Sequence, residues 1–379
     1  MKKILFLHST LEVGGAEMLR LALLRNIDKK RYRIKLCCIG QKGRIGEEIE
    51  RLGYRVDAMN QNPNSINLSI ACKLIKYLKA DKPDIVHCSL FYANFHGRLA
   101  GAISGINHLI TEEHGEHKLR KLYKGIKFSP FIWIDFILSR LNDFIITCSE
   151  EVKKGIVEEG KLPAGKVLSI QNCLDKSIYK VETSIDDIKK KHRISDELVF
   201  IVVASLKPGK GHDYLIDVLR EIRNAGHRFK CFFAGRGGPL DPELKDKCQR
   251  LNLSEDIIFL GNIENTMDYL NASDVFMLPS FSEGLSIALM EGMFMGLASI
   301  VTNVGSNIDL IQDGFNGILV SPGNKLELKE AIIFYFRNKS LIKEFGARSR
   351  SIIEAKYSNI DDYVKRYYEV WDKCINNKR

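Results

Sequence analysis

Short β-branched or apolar runs alternate with helix-patterned stretches along the whole chain, and this alternation stops once and then restarts. Before the stop, the expected strands are Ile4–His8, Ile34–Ile39, Ile85–Cys88, Leu109–Thr111, Phe144–Cys148 and Val167–Gln171. Helical patterns such as Met18–Arg25, Leu68–Leu78 and Glu150–Glu158 lie between them. After it come strands at Leu198–Ala204, Lys230–Ala234, Ile257–Leu260, Val275–Leu278, Ser299–Thr302 and Gly317–Val320, with helices at Tyr214–Arg223, Leu285–Met295 and Leu328–Phe336. Strands separated by helices predict parallel sheets covered on both faces, because parallel neighbours need a long crossover. The interruption, a polar stretch from about Asp175 to Glu197 containing Lys189-Lys190-Lys191, reads as a linker with a short surface helix. The expected architecture is α/β: two Rossmann-like, doubly wound parallel-sheet domains, 1–180 and 181–359, facing each other across a cleft. A final amphipathic helix, Ile360–Ile375, lies within the tail 360–379, which is expected to pack back on the first domain.

The 379 residues are enough for two such domains. No run reaches the ~20 consecutive apolar residues of a spanning helix. The apolar start, Ile4-Leu5-Phe6-Leu7, is broken by His8, Glu12 and Glu17, so it reads as a first strand and not a signal peptide. The nine cysteines are scattered, several inside apolar runs, and no CxxC occurs. That argues against zinc ribbons and disulfide frameworks and for a reducing cytoplasm. Lys and Arg outnumber Asp and Glu by 57 to 47, a formal charge of +10. Such a balance favours nucleic acid, anionic lipid or a phosphorylated substrate as partner. Nucleic acid is set aside because no compact basic motif with aromatic readers is present.

Three segments carry candidate chemistry. The first strand is read as ending in Gly14-Gly15-Ala16-Glu17 with a helix starting at once, where glycines let backbone amides approach a phosphate; an ordinary tight turn is the alternative. Lys210 stands between Gly209 and Gly211 just before another helix, a place for a cation to meet a diphosphate, although the P-loop spacing is absent and a solvated lysine is the alternative. The third is Glu283-Gly284-Leu285-Ser286 leading into an almost wholly apolar helix in which Glu291 is the one charge. A carboxylate there costs several kcal/mol unless partnered, either by ligand hydroxyls or by a buried Lys or Arg. On helical spacing Glu283 and Glu291 lie about 12 Å apart and could grip opposite ends of a long polar ligand. His114, in Glu112-Glu113-His114-Gly115-Glu116-His117, fits no metal-ligand framework, and a polar loop is its plain reading. Asp-x-Asp occurs nowhere, so no metal site is expected; Lys210 and helix ends would neutralise a diphosphate.

In order and spacing these pieces resemble glycosyltransferase family 4, retaining enzymes of the GT-B fold that use nucleotide-sugar donors. The resemblance spans nearly the whole chain: Gly14 to Glu17, His114-Gly115, Asn172 to Asp175, Lys210-Gly211, Gly235 to Gly238, Asp274 to Ser280, and Glu283 to Glu291 as the family's E-x7-E element. It implies that Gly14, Gly15 and Lys210 meet the donor diphosphate and that Glu283 contacts the transferred sugar. Glu291 would hold the ribose, Gly284, Leu285 and Ser286 would cap sugar and phosphate, and Gly235 and Ile263 would line the donor site. His114 would sit beside the anomeric centre, so that His114, Lys210 and Glu283 form the catalytic set. Ser205 stands where the family has Arg, with Lys207 as the candidate replacement; Ala298 and Asp309 replace Pro and Glu.

The implied activity is metal-independent, retaining transfer of a hexosyl or N-acetylhexosaminyl group from a nucleotide-diphosphate sugar, UDP favoured over GDP, with no further cofactor. The acceptor is a saccharide or lipid-linked saccharide in surface polysaccharide or glycolipid synthesis. A nucleotide-sugar 2-epimerase of the same fold is the alternative. A basic cluster from Lys118 to Lys127, followed by an aromatic and aliphatic run to Leu138, has the composition of an interfacial element. Segment 118–138 is therefore expected to meet an anionic surface, giving a cytoplasmic protein peripheral on the inner face of the membrane; a core helix at Phe131–Leu138 with its lysines facing water is the alternative.

Overall fold

The computed structural model describes residues 1–115, 134, 137–160, 162–263 and 265–376. Its first strand shows why the sequence pattern works. In β1 (Lys2–His8) every side chain from Ile4 onward is buried, as expected for a central parallel strand covered on both faces. Around it lie β2 (Tyr32–Cys38), β3 (Arg55–Ala58), β4 (Ile85–Ser89), β5 (His108–Glu113), β6 (Phe144–Thr147) and β7 (Val167–Ser169), in the order β3-β2-β1-β4-β5-β6-β7, with every pairing parallel. Among the described helices of this unit are α1 (Gly15–Asn26), α2 (Gly43–Arg51), α3 (Leu68–Asp81), α4 (Phe91–Ser104) and α5 (Glu150–Gly160).

The second unit repeats the plan. Strands β8 (Leu198–Val203), β9 (Phe229–Ala234), β10 (Ile257–Gly261), β11 (Val275–Leu278), β12 (Ala298–Thr302) and β13 (Gly317–Val320) run in the order β10-β9-β8-β11-β12-β13, again all parallel. They carry α6 (Ile185–Lys191), α7 (His212–Asn224), α8 (Asp241–Arg250), α9 (Thr266–Asn271), α10 (Ile287–Phe294), α11 (Asn307–Leu310), α12 (Lys325–Arg337) and α13 (Lys339–Lys356). The core packs Phe200, Phe233, Ile300 and Tyr335 between sheet and helices. The compact units are Met1–Cys173 with Asn359–Arg379, and Leu174–Ser358. The polar stretch read as a linker is fastened to the second unit: the Glu182 and Thr183 amides donate to Asp268 at 2.7 and 3.0 Å.

The last helix, α14 (Ile360–Asn376), lies against α1. Its Trp371 is fully buried beside the rings of Phe6 and Tyr32, and its Tyr368 hydroxyl accepts a 2.7 Å hydrogen bond from the Asp28 amide.

Three expectations are corrected. The first strand ends at His8, so six residues separate it from α1 and Gly14-Gly15 is not its end. The helix expected at Leu285–Met295 begins at Ile287, because the Ser286 hydroxyl accepts the Leu289 amide at 3.2 Å and caps it. Glu283 thus lies in the preceding loop, and the helical 12 Å spacing to Glu291 does not apply. Strand β3 was not anticipated, since only Val56 of its four residues is buried, as suits an edge strand. The basic and apolar run 118–138 lies outside the described residues except for exposed Ile134 and Ile137 and buried Leu138. Among the described residues no helix is long and apolar enough to cross a membrane.

Candidate functional site

In the second unit β8 and β11 are sheet neighbours whose chains continue in opposite directions across the sheet, a topological switch point of the kind where open α/β sheets bind ligands. Two loops leave the carboxyl ends of these strands and are laced together. The Phe281 amide donates to the Gly209 carbonyl at 2.8 Å, and the Tyr214 hydroxyl donates to the Pro279 carbonyl at 2.7 Å. Gly211 caps α7 with φ +78°, and a Cβ there would sit 1.9 Å from the Pro279 oxygen. Only glycine fits. The lacing brings the Lys210 ammonium 2.7 Å from a Glu283 carboxylate oxygen, with Glu283 mostly covered and Lys210 partly exposed. An ammonium has three donors, so one on Glu283 leaves others for an incoming anion. Behind Glu283, Gly305 (φ +53°) approaches so closely that a Cβ would lie 2.0 Å from the Glu283 carbonyl oxygen.

Glu291 sits buried on α10, and burial pushes its carboxyl up to about 7, tempered by a hydrogen bond from Tyr179. Among the described residues no Lys or Arg pairs with it, so the cationic partner considered from sequence is replaced by a phenol. Ser205 and Gly235 are half-buried on neighbouring loops, and a Cβ on Gly235 would come within 2.1 Å of the Ala204 carbonyl oxygen. Lys207 is exposed, and the Arg236 carbonyl accepts the Leu206 amide at 3.1 Å, which sets another cationic residue on the loop beside Ser205. Ile263 is half-buried after Gly261. Gly284 and Leu285 are buried, joining Glu283 to the Ser286 cap. His212 is buried against Phe233, and burial, then nearby Lys210, pulls its imidazole down to about 4.

In the first unit the switch point lies between β1 and β4. Gly14 is half-buried and Gly15 exposed at the start of α1. His114 follows β5 directly, its Nε2 lying 3.2 Å from Glu112 Oε2 and 3.4 Å from Ser89 Oγ. Beneath it is a buried polar network. Arg20 Nη2 donates to Glu112 Oε2 at 2.6 Å, Ser89 Oγ to the same oxygen at 2.5 Å, and Arg20 Nε to His8 Nε2 at 3.2 Å. His87 Nε2 is 3.0 Å from Glu112 Oε1, while Trp371 Nε1 donates to His87 Nδ1 at 3.2 Å. Burial pushes the Glu112 carboxyl up, yet Arg20 and His87 outweigh it and hold the group well below the carboxylate range. Burial lowers His8 and His87, and it raises Glu17, whose carboxyl feels His114 and Arg20.

Known proteins supply the family. The sequence model described as Glycosyltransferase Family 4 matches residues 13–177, and that described as Glycosyl transferases group 1 matches residues 184–352; in tandem they cover most of the chain. The chain belongs to glycosyltransferase family 4. A relative is the UDP-Gal:alpha-D-GlcNAc-diphosphoundecaprenol alpha-1,3-galactosyltransferase of Escherichia coli, 29% identical over 254 residues, 65% of each chain. Another is the N-acetyl-alpha-D-glucosaminyl L-malate synthase of Bacillus anthracis, 22% identical over 387 residues, 97% of each. Among solved structures, the Anabaena protein HepE in complex with UDP and glucose superposes with a TM-score of 0.83 at 20% identity, over 98% of this chain and 100% of that one. The fold is GT-B.

For this family 4 glycosyltransferase, sequence reading named Lys210, Glu283 and His114 but foresaw none of their partners. Glu112 was named only within the segment around His114, and Arg20 and His87 went unremarked, although each is an ionisable residue inside an apolar run: Leu19-Arg20-Leu21 and Val86-His87-Cys88. That interruption is the signal that could have found them. Tyr179 gave none, since nothing near it in sequence points to Glu291.

Proposed function

We propose that this glycosyltransferase moves a hexosyl or N-acetylhexosaminyl group, with retention and without a metal, from a nucleotide-diphosphate sugar to a saccharide or lipid-linked acceptor. UDP is the favoured nucleotide, and the product enters a surface polysaccharide or glycolipid. The observation that carries the reading is the Lys210–Glu283 pair at the β8/β11 switch point, a cation for a leaving phosphate held 2.7 Å from a carboxylate suited to sugar hydroxyls. Support for the donor comes from the UDP and glucose held by HepE and from the UDP-Gal donor in the galactosyltransferase's name. That enzyme's lipid-diphosphate acceptor supports the acceptor class.

In the proposed reaction the bond from the anomeric carbon to the diphosphate oxygen breaks through an oxocarbenium-like state. The acceptor hydroxyl bonds to the same face and gives its proton to the departing phosphate oxygen. Lys210 and the helix N-termini stabilise charge on the diphosphate, with Gly14, Gly15, Gly235, Gly284, Leu285 and Ser286 offering close backbone approach. Ser205 and Ile263 line the donor, Glu283 orients the transferring sugar, Glu291 takes up the ribose hydroxyls, and His114 meets the reacting sugar. The protein would work at the cytoplasmic membrane face, held through 118–138, where exposed Ile134, Ile137 and Leu141 extend the apolar run.

A panel of nucleotide sugars with a lipid-diphosphate saccharide tests the reading, with proton NMR of the first-formed product and a parallel reaction in EDTA. Transfer with the donor's anomeric configuration kept, undiminished by EDTA, is expected. An inverted product, or activity lost in EDTA and restored by manganese, overturns the corresponding part. Conversion of donor without acceptor would mark an epimerase.

A further inference from the structure

The two atoms that His114 Nε2 faces decide which of its nitrogens carries the proton. Glu112 is ionised beside the Arg20 guanidinium and can only accept hydrogen bonds. Ser89 has a single hydroxyl proton, and at 2.5 Å that proton is committed to Glu112 Oε2. Toward His114, 3.4 Å away, Ser89 therefore also offers only lone pairs. Nε2 is set between two acceptors, so it must be the N–H nitrogen. In the neutral imidazole Nδ1 is left with its lone pair, and it has no partner among the described residues.

The rest of the network keeps Glu112 in that accepting state. An indole N–H can only donate, so Trp371 fixes the lone pair of His87 on Nδ1 and turns its Nε2–H toward Glu112 Oε1. Arg20 Nε is likewise spent on His8 Nε2. The groups around His114 are then Glu112 on β5, Ser89 and His87 on β4, His8 on β1, and Arg20 and Glu17 on α1.

We infer that Glu112 is a positioning residue: it holds His114 as the Nε2–H tautomer, so that Nδ1 is the nitrogen presented to a substrate hydroxyl. The catalytic half of this inference rests on the reading that His114 meets the reacting sugar; the tautomer does not. Trp371, contributed by the last helix, belongs to the same device through His87.

Long-range proton–nitrogen NMR of histidine-labelled protein, at a pH where the nitrogen shifts report neutral rings, reads the tautomer without substrate. His114 is assigned by its loss in His114→Ala. The expected wild-type spectrum shows a protonated Nε2 and a bare Nδ1; a protonated Nδ1 overturns the inference with no variant needed. In Glu112→Leu the acceptor beside Nε2 is gone and the Ser89 proton is freed to turn toward it, so the Nδ1–H form should appear. Turnover should fall by about tenfold or more with the donor KM little changed, because a wrong tautomer spoils chemistry and not binding. Glu112→Asp, which restores a carboxylate, should restore the wild-type spectrum. An unchanged tautomer in a folded Glu112→Leu protein overturns the positioning role. His114→Ala turning over at the wild-type rate would instead remove the reading that His114 meets the sugar, leaving the tautomer result to stand or fall on the spectrum.

Discussion

Replacing Glu291 by glutamine should make the ligand-free protein more stable than wild type at alkaline pH and leave the two alike in acid. Burial raises the Glu291 carboxyl from its ordinary 4.5 to about 7. Between those values the folded protein keeps a proton that the unfolded chain has released, so stability falls as pH rises. The loss is complete once pH passes the folded value. At ~1.36 kcal/mol per pH unit the penalty grows to about 3 kcal/mol. Glutamine has nearly the same shape, can still accept from Tyr179, and does not titrate. Urea unfolding of both proteins from about pH 4 to about pH 8.5 isolates the effect, because every other titrating group cancels in the difference. The mutant's advantage should open through the window and level off above about pH 7. A difference flat with pH would refute the argument that an ionisable carboxyl without a cationic partner is buried there. The same carboxyl reports on function. If ribose hydroxyls hydrogen-bond it, they favour its ionised form, so donor binding near neutral pH should release a proton. Calorimetry in buffers of different ionisation enthalpy should show that release in wild type and not in Glu291→Gln.

Lys210→Ala strips the ammonium from Glu283 and from the leaving phosphate, and kcat/KM should fall by about a hundredfold or more; near-normal turnover would exclude Lys210 from the chemistry. Glu283→Ala should lower kcat more than donor affinity and Glu291→Ala the reverse, so identical effects of both on steady-state kinetics would contradict the division of roles. Gly211→Ala forces a Cβ against the Pro279 carbonyl at a positive φ and should cost about 2 kcal/mol or more, seen as a lower urea midpoint; an unchanged midpoint would show that the two loops are not locked. The protein should cosediment with anionic but not neutral vesicles, less so in salt and after charge reversal at Lys118, Lys121 and Lys124; a triple mutant binding like wild type would end the membrane proposal.

Both sheets could be read from sequence because strands buried on both faces stand out as apolar runs. Val275–Leu278 and Gly317–Val320 came out with their full bounds. What failed was whatever broke that pattern. Helix α4 was missed because Asn94, His96 and Arg98 are buried within it, which erases its apolar stripe. Edge strand β3 offers one buried side chain and therefore almost no period. At the site, Lys210 and Glu283 were legible as polar residues in glycine-bearing loops, each by itself. Their pairing was not, because 73 residues separate them and only the strand order that makes β8 and β11 neighbours brings them together. The network under His114 was hidden for the same reason: its members come from β1, α1, β4, β5 and α14, and no local rule links them.

The return of the last helix to the first sheet has a consequence for how the protein is made. A ribosome delivers residues 1–173 first, yet the unit they belong to lacks its closing piece until the final helix emerges. Leu174–Ser358 is continuous and can complete itself during translation, so the half encoded second should finish first, against the usual N-to-C order. Until Trp371 arrives, the faces of Phe6, Tyr32 and His87 that it covers stand open on the nascent chain. A message cut short after codon 358 would therefore yield a sound second half joined to a first half with an open aromatic socket. The nascent first unit is where a chaperone would find its binding surface.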